Sequence, residues 1–241
     1  MAKFSYRREE DLELVLCKRS LLSYPRHNHV SVAALGFVLE GSLELVTEEG
    51  SRLCRAGECF ALPPYAAHCL NAKSPYTLLS LCAGRDVLER YEERAGDVSR
   101  FLADALRAPE LEARMLEALG ALARRVPSGA GESAVRLLRD RLEAEPERRC
   151  SLEELAASSY VSKYHLIRRF KREVGLTPHQ FQMQNRVRKA QRLLRDSAPT
   201  AEAALAAGFC DQSHLSRYFK QIVGLTPGQY RRCWNTEVPL L

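Results

Sequence analysis

The sequence predicts a multidomain chain of mixed α and β class. An N-terminal antiparallel β-barrel and a helical segment precede a C-terminal all-α domain with two helix-turn-helix units. Three observations carry that prediction. Short stretches of strand character, punctuated by Gly and Pro, fill the first third of the 241 residues. Helical periodicity takes over from Asp86. Among the helices a single stretch occurs twice: His165–Phe181 returns as His214–Tyr230, identical at eleven of seventeen positions and offset by 49 residues. A repeat of this kind is a structural unit used twice.

Composition narrows the class. Hydrophobic content of 46% and charged content of 27% are ordinary for a folded globular chain. The N-terminus has no apolar signal-peptide core. Nowhere do about 18 apolar residues run together, so no membrane partner and a cytoplasmic location are expected. From Arg148 onward sixteen Lys/Arg face seven Asp/Glu, whereas Met1 to Glu147 holds twenty against twenty-three. A near-neutral front and a basic back are the footprint of a nucleic-acid module attached to something else. The eight cysteines include no CxxC pair, so they are expected to be reduced, mostly buried thiols. A thiol sensor among Cys54, Cys59, Cys69 and Cys82 is the weaker alternative.

The front half reads as strands from about Leu12 to Leu81. Ser31–Leu39 is a long apolar run, Ser42–Thr47 alternates with period two, and Glu48-Glu49-Gly50 is a hairpin turn. Ser51–Cys54 and Cys59–Leu62 follow, then Pro63-Pro64, then a strand over Tyr76–Cys82. Such spacing argues a small barrel or jelly roll. His27 and His29, two apart on a strand, point to one side, and His68 follows the Pro pair. Three imidazoles facing one interior offer a polar effector pocket or a set of metal ligands.

The order His27-x-His29, Gly41, Gly57, Pro63, His68 resembles the two sequence motifs of the cupin barrel, over Tyr24 to Asn71. The resemblance implies a cupin-like effector-binding barrel over residues 1–85, with its pocket at His27, His29 and His68. It departs at Ala33 and Ala34, where metal-binding cupins carry a carboxylate. No cofactor is therefore expected, with a transition metal on the three histidines as the alternative.

Residues 86–127 form the helical segment, read as Asp86–Ala95 and Asp97–Ala108, broken by Gly96 and Pro109. Leu111, Met115, Leu119, Leu122 and Val126 then make one apolar stripe. The stripe either caps the barrel or pairs with its copy in a homodimer. Pro127 to Gly131 breaks every pattern, and residues 128–131 are read as the linker.

Residues 132–234 form the basic domain. Glu132–Glu145 is a helix with Val135, Leu138 and Leu142 on its buried face, ended by Pro146. Ser151-Leu-Glu-Glu154 is a capping-box start for a short helix over Leu152–Ala157. Ser159-Tyr-Val161 is the turn, and Ser162 caps the helix Lys163–Val174. Thr177-Pro178 starts a long helix to about Arg195, whose Arg186, Arg188, Lys189 and Arg192 suit phosphate contacts. The second unit repeats the plan, with Ala201–Ala207, a turn at Gly208, and Asp211 capping Gln212–Val223. Leu166, Phe170 and Val174, like Leu215, Phe219 and Val223, must face inward. That leaves Lys163, Tyr164, Ile167, Arg168 and Lys171 outward on one helix, and Gln212, Ser213, Ser216, Arg217 and Lys220 on the other. Arg and Gln suit guanine and adenine edges in a major groove.

This half resembles the DNA-binding domain of the AraC/XylS transcription regulators. The likeness runs through Ser151-Leu-Glu-Glu-Leu-Ala, Arg186-Val-Arg-Lys-Ala-Gln-Arg-Leu-Leu, Ala207-Gly-Phe-Cys-Asp-Gln-Ser-His-Leu-Ser-Arg-Tyr-Phe-Lys and Gly224-Leu-Thr-Pro-Gly-Gln-Tyr-Arg231. It implies base contacts from Tyr164, Ile167 and Arg168, and from Gln212, Ser213, Ser216 and Arg217. It departs at Ile167, which offers a base only an apolar contact, and at Ala203, where a larger aliphatic is usual and which would hold its helix more weakly. The expectation is a one-component regulator and not an enzyme, with activator and repressor both open. Its expected partners are double-stranded promoter DNA, a small-molecule effector, RNA polymerase and a second copy of the chain. A metal-dependent cupin enzyme with a DNA-binding tail is the runner-up.

Overall fold

The computed structural model describes residues 3–29, 31–125, 134–148, 150–158 and 162–233. The linker 128–131, Val126, the turn 159–161 and the Glu154 side chain lie outside the described residues. The chain divides into two compact units, the change falling between Gly129 and Ala130.

The first unit is two antiparallel sheets and a helical layer. One sheet runs β1 (Lys3–Glu9), β2 (Leu12–Ser20), β9 (Tyr76–Gly84), β4 (Val32–Glu40), β7 (Cys59–Leu62). The other runs β3 (Tyr24–His27), β8 (His68–Ala72), β5 (Ser42–Val46), β6 (Ser51–Arg55). The apolar run in β4 has a physical reason: both its faces are covered. Ala33, Leu35 and Phe37 join Leu12, Leu14, Leu16, Leu79 and Leu81 under the helices. Ala34 and Val38 face the second sheet with Leu43, Leu45 and Leu70. The barrel begins earlier than expected, since β1 pairs with β2 from Lys3↔Lys18 to Glu9↔Leu12. Its sequence KFSYRRE hides this, because only Tyr6 is buried. Charged residues on such an edge also discourage pairing with another chain.

The helical segment is α1 (Arg85–Glu89), α2 (Tyr91–Leu106) and α3 (Pro109–Ala123). The break falls at Arg90, and α2 continues through Gly96. A Cβ at Gly96 would meet no neighbour, so that glycine only weakens the helix slightly. The described part of the α3 stripe packs inward on the chain's own sheet. Met115 and Leu119 have no exposed area within the single chain and belong to the core over the first sheet. Arg114 secures the same docking, donating from Nη2 to the Gly57 carbonyl at 2.7 Å and lying 5.6 Å over the Phe37 ring. The helices therefore cover a sheet face.

The second unit holds α4 (Ala134–Ala144), α5 (Leu152–Ser158), α6 (Lys163–Val174), α7 (Pro178–Arg195), α8 (Thr200–Ala206), α9 (Gln212–Val223) and α10 (Pro227–Arg232). Its caps follow the sequence closely. Ser162 Oγ accepts from His165 N at 3.2 Å, Thr177 and Gln180 form a reciprocal capping box, and Asp211 Oδ1 accepts from His214 N at 2.7 Å. Both copies of the repeat end on a left-handed glycine, Gly175 at φ 75° and Gly224 at φ 81°. Ala203, Ala204 and Ala207 are fully buried, and Phe209 nearly so. The small side chains let α8 lie close to its neighbours, which the sequence had suggested only as a loss of packed area.

Leu119→Ala should cost about 2–5 kcal/mol in urea unfolding while leaving the protein's mass by light scattering unchanged, because the stripe is internal. Asp211→Ala should cost about 0.5–2 kcal/mol through the lost cap, read in the same unfolding assay.

Candidate nucleic-acid interface and effector site

The two repeated helices are amphipathic in the same sense. On α6, Leu166, Phe170 and Val174 are buried while Tyr164, Arg168 and Lys171 are exposed. On α9, Leu215, Phe219 and Val223 are buried while Gln212, Ser213, Arg217 and Lys220 are exposed. Lys163, Ile167 and Ser216 are half-buried. Tyr164 is 76% exposed, large for an aromatic with no packing role.

The two faces differ in charge at their N-termini. The neutral Ser162 cap leaves the positive end of the α6 dipole available to an anion. Asp211 puts a carboxylate at the same place on α9, which favours the helix and opposes a phosphate. Lys163 is held by Glu153 of α5 in a close ion pair that raises the lysine's pKa. In the second copy Tyr218 replaces Arg169, and its ring stands 5.3 Å from His214, which in turn stands 5.3 Å from Phe209. This aromatic cluster fastens the second turn onto α9, and Arg217 extends over the Tyr218 ring at 5.3 Å. Sequence reading missed the cluster, although Phe209 five residues before a repeated His and Tyr218 four after it were there to find.

The basic residues of α7 are not one phosphate-binding row. Arg186 Nε donates to the Pro146 carbonyl at 2.8 Å, Nη1 to Gly208 at 2.6 Å and Nη2 to Glu147 at 3.3 Å. Lys189 pairs with Glu147 at 2.8 Å, and Arg188 donates to Asn185 Oδ1 at 3.4 Å. Three backbone carbonyls already occupy the Arg186 fork, and burial lowers its pKa.

In the first unit the three predicted histidines meet. His27 closes β3 and stands opposite His68, which opens β8; their rings are 4.2 Å apart. His29 lies beyond the strand, so the two-apart rule is not what brings it in. Its ring is nevertheless 5.5 Å from His27 and 5.2 Å from His68. One ligand atom from each of the three lies within 4.8 Å of the others, and no carboxylate belongs to the group. Ala33 and Ala34 are buried in β4. His27 Nδ1 contacts the Pro25 carbonyl at 2.8 Å and His68 Nδ1 the Ala66 carbonyl at 2.9 Å. A carbonyl only accepts, so the Nδ1 atoms carry the protons and each neutral ring presents its lone pair at Nε2. Burial lowers the His68 pKa against the opposing Ala66 hydrogen bond, and Arg26 lowers it further. The residues fit a transition metal's donor preference, and equally a polar pocket.

The thiols divide differently from expectation: Cys17 and Cys54 are buried, Cys210 is exposed and the other five are half-buried. Burial pushes the Cys17 thiol up to about 11, partly opposed by a Ser20 hydrogen bond, which makes it a poor nucleophile.

Comparisons with known proteins follow the same division. Residues 19–142 match the AraC-like ligand binding domain family, and residues 155–233 match a helix-turn-helix domain. ToxT from Vibrio cholerae O395 is similar at a TM-score of 0.64 and 10% identity, covering 94% of this chain and 99% of that one. Unsaturated fatty acid bound ToxT from Vibrio cholerae strain SCE256 is similar at 0.62 and 11%, covering 100% and 99%. The C-terminal domain of AraT, a response regulator from Geobacillus stearothermophilus, is 30% identical over 44% of this chain and 90% of that one, at a TM-score of 0.40. Among curated proteins nothing matches. Among the described residues no helix is long and apolar enough to cross a membrane. With its ligand-binding domain matched over more than half the chain and its paired helices in place, the chain belongs to the AraC family of effector-responsive, DNA-binding transcription regulators.

Proposed function

We propose that this regulator reads two adjacent major grooves on one side of a promoter, with α6 in one and α9 in the next. The observation that supports this reading is the pair of amphipathic helices either side of α7 with the same buried and exposed positions. That helix has eighteen residues and spans about 27 Å at 1.5 Å per residue. Adjacent groove faces on one side of B-DNA are ~34 Å apart. In this reading Tyr164, Ile167 and Arg168 face bases on α6, with the Ser162-capped N-terminus, Lys163 and Lys171 on the phosphates beside them. Gln212, Ser213, Ser216 and Arg217 face bases on α9, with Lys220 on phosphate. Ile167 is confined to a thymine methyl. For Lys163 to reach DNA it must leave Glu153, an exchange of ion pairs on an exposed surface that costs little. The regulator works in the cytoplasm, with RNA polymerase as its partner, and carries no catalytic role. The buried α3 stripe leaves any homodimer to another surface.

The effector seat is His27, His29 and His68. ToxT has an unsaturated fatty acid bound in one solved form; a second reading, a transition metal on the three imidazoles, is supported by their grouped ligand atoms. Two Nδ1 protons already tied to carbonyls orient Nε2 as a ligand. The metal would tie β3 to β8 and stabilise the barrel by RT ln(1 + c/Kd), with c the free metal concentration.

Arg217→Ala should relax base preference at one position and cost about 1–3 kcal/mol on the preferred site. Lys171→Ala should weaken all sequences alike and lower the salt slope by about one phosphate's worth. Selection from a random DNA pool with salt titration measures both, and wild-type behaviour in both variants means the faces are wrongly assigned. For the metal, protein purified without chelator should carry close to one equivalent by elemental analysis and lose thermal stability with EDTA. Sub-stoichiometric metal contradicts the metal reading alone. Unchanged regulation in the triple His27→Ala, His29→Ala, His68→Ala variant contradicts the seat itself.

A further inference from the structure

The second unit contains a junction that the reading helices do not explain. Gly208, in the turn of the second reader, sits at φ 86°, and a Cβ there would come within 2.6 Å of Glu147 Cα. The second reader's turn thus lies directly on the α4–α5 connector, the segment that leads into the first reader. One side chain bridges the two. Arg186 donates to Pro146 and Glu147 on the connector and to Gly208 in the turn, at 2.8, 3.3 and 2.6 Å. Gln182, one helical turn earlier, donates to Pro146 at 3.0 Å and Arg148 at 2.7 Å, but makes no bond to the turn in the structure. A guanidinium is a planar fork of fixed geometry, so carbonyls bound to it are held at a fixed separation.

We propose that Arg186 sets the spacing at which the two half-sites are read, as a positioning residue that acts through the carbonyls of 146, 147 and 208. Apart from the junction, the second reader is held by the packing of α8 and α9 on α7 and by the short segment from Asp196 to Pro199, so losing the junction leaves its angle to the first reader set by that packing alone. Inserting one base pair between half-sites moves the second by about 3.4 Å and turns it by about 34–36°. A rigid pair of readers cannot follow that change, and a more loosely held pair can. The proposal rests on both readers engaging DNA together.

The test uses the full chain, the DNA site selected by wild-type protein, and the same site with one base pair inserted or removed between its halves. Wild type should lose about tenfold or more on either altered spacing. R186K keeps the charge but offers a point donor that cannot bridge. It should bind the original site several-fold more weakly, lose only about threefold or less on altered spacing, and keep the same base preferences within each half. Q182A should keep the wild-type penalty. Should R186K fail to fold by circular dichroism, R186Q, with a shorter planar end, carries the same expectation. An undiminished spacing penalty in the folded variant overturns the proposal. So does a lower salt slope in R186Q with the penalty unchanged, which would make Arg186 a phosphate contact. Wild-type indifference to spacing would instead contradict the two-groove reading itself.

Discussion

Three backbone carbonyls converge on the Arg186 guanidinium, and the geometry of the DNA-binding unit hangs on that convergence. The carbonyls belong to two segments far apart in sequence, Pro146–Glu147 and Gly208. Neither segment is in a helix or strand, so neither satisfies these oxygens within its own element. Removing the donor would leave the half-buried Glu147 and Gly208 carbonyls without it, while Pro146 keeps its bond from Gln182. Gly208 is what admits the second segment so near the first, because any side chain there would collide with Glu147. Lys189 closes the junction by pairing with Glu147. A helix otherwise read as a spacer is therefore a bracket with a grip at its centre.

The repeat delivers two helices of one design, but their surroundings assign them different work. The α6 N-terminus has a neutral cap and a lysine held by Glu153, which suits firm contact with the phosphate backbone. At α9 an aspartate cap strengthens the helix and repels phosphate, while Gln212 and Arg217 offer the side-chain chemistry that discriminates bases. Buried alanines and the Phe209–His214–Tyr218 cluster hold α9's approach. Ala203 is fully buried within that docking.

What the sequence disclosed and what it concealed follow from how each element is held in place. The helices of the second unit were readable almost to the residue, because period, N-cap and C-cap all agree at Ser162, Thr177, Asp211, Gly175 and Gly224. Strand β1 was not, since an edge strand buries only Tyr6 and so lacks alternation. The α3 stripe was visible as a stripe, but periodicity does not say what covers it, and the covering turned out to be the chain's own sheet. His27, His29 and His68 were legible as a set, although His29 joins from beyond the strand. Arg186 was opaque: on a basic helix nothing local separates an arginine aimed at solvent from one aimed at carbonyls two segments away. Its role depends on tertiary partners, which single-sequence reading does not supply.

If the Arg186 junction holds the two reading helices as one rigid body, they must meet DNA together and on one face of the duplex. Hydroxyl-radical footprinting of the full chain on its selected site measures this directly. Two protected windows are expected on the same face of the duplex, about one helical turn or 10–10.5 base pairs apart, appearing together at the same protein concentration. Windows that appear at separate concentrations, or lie on opposite faces, would contradict it.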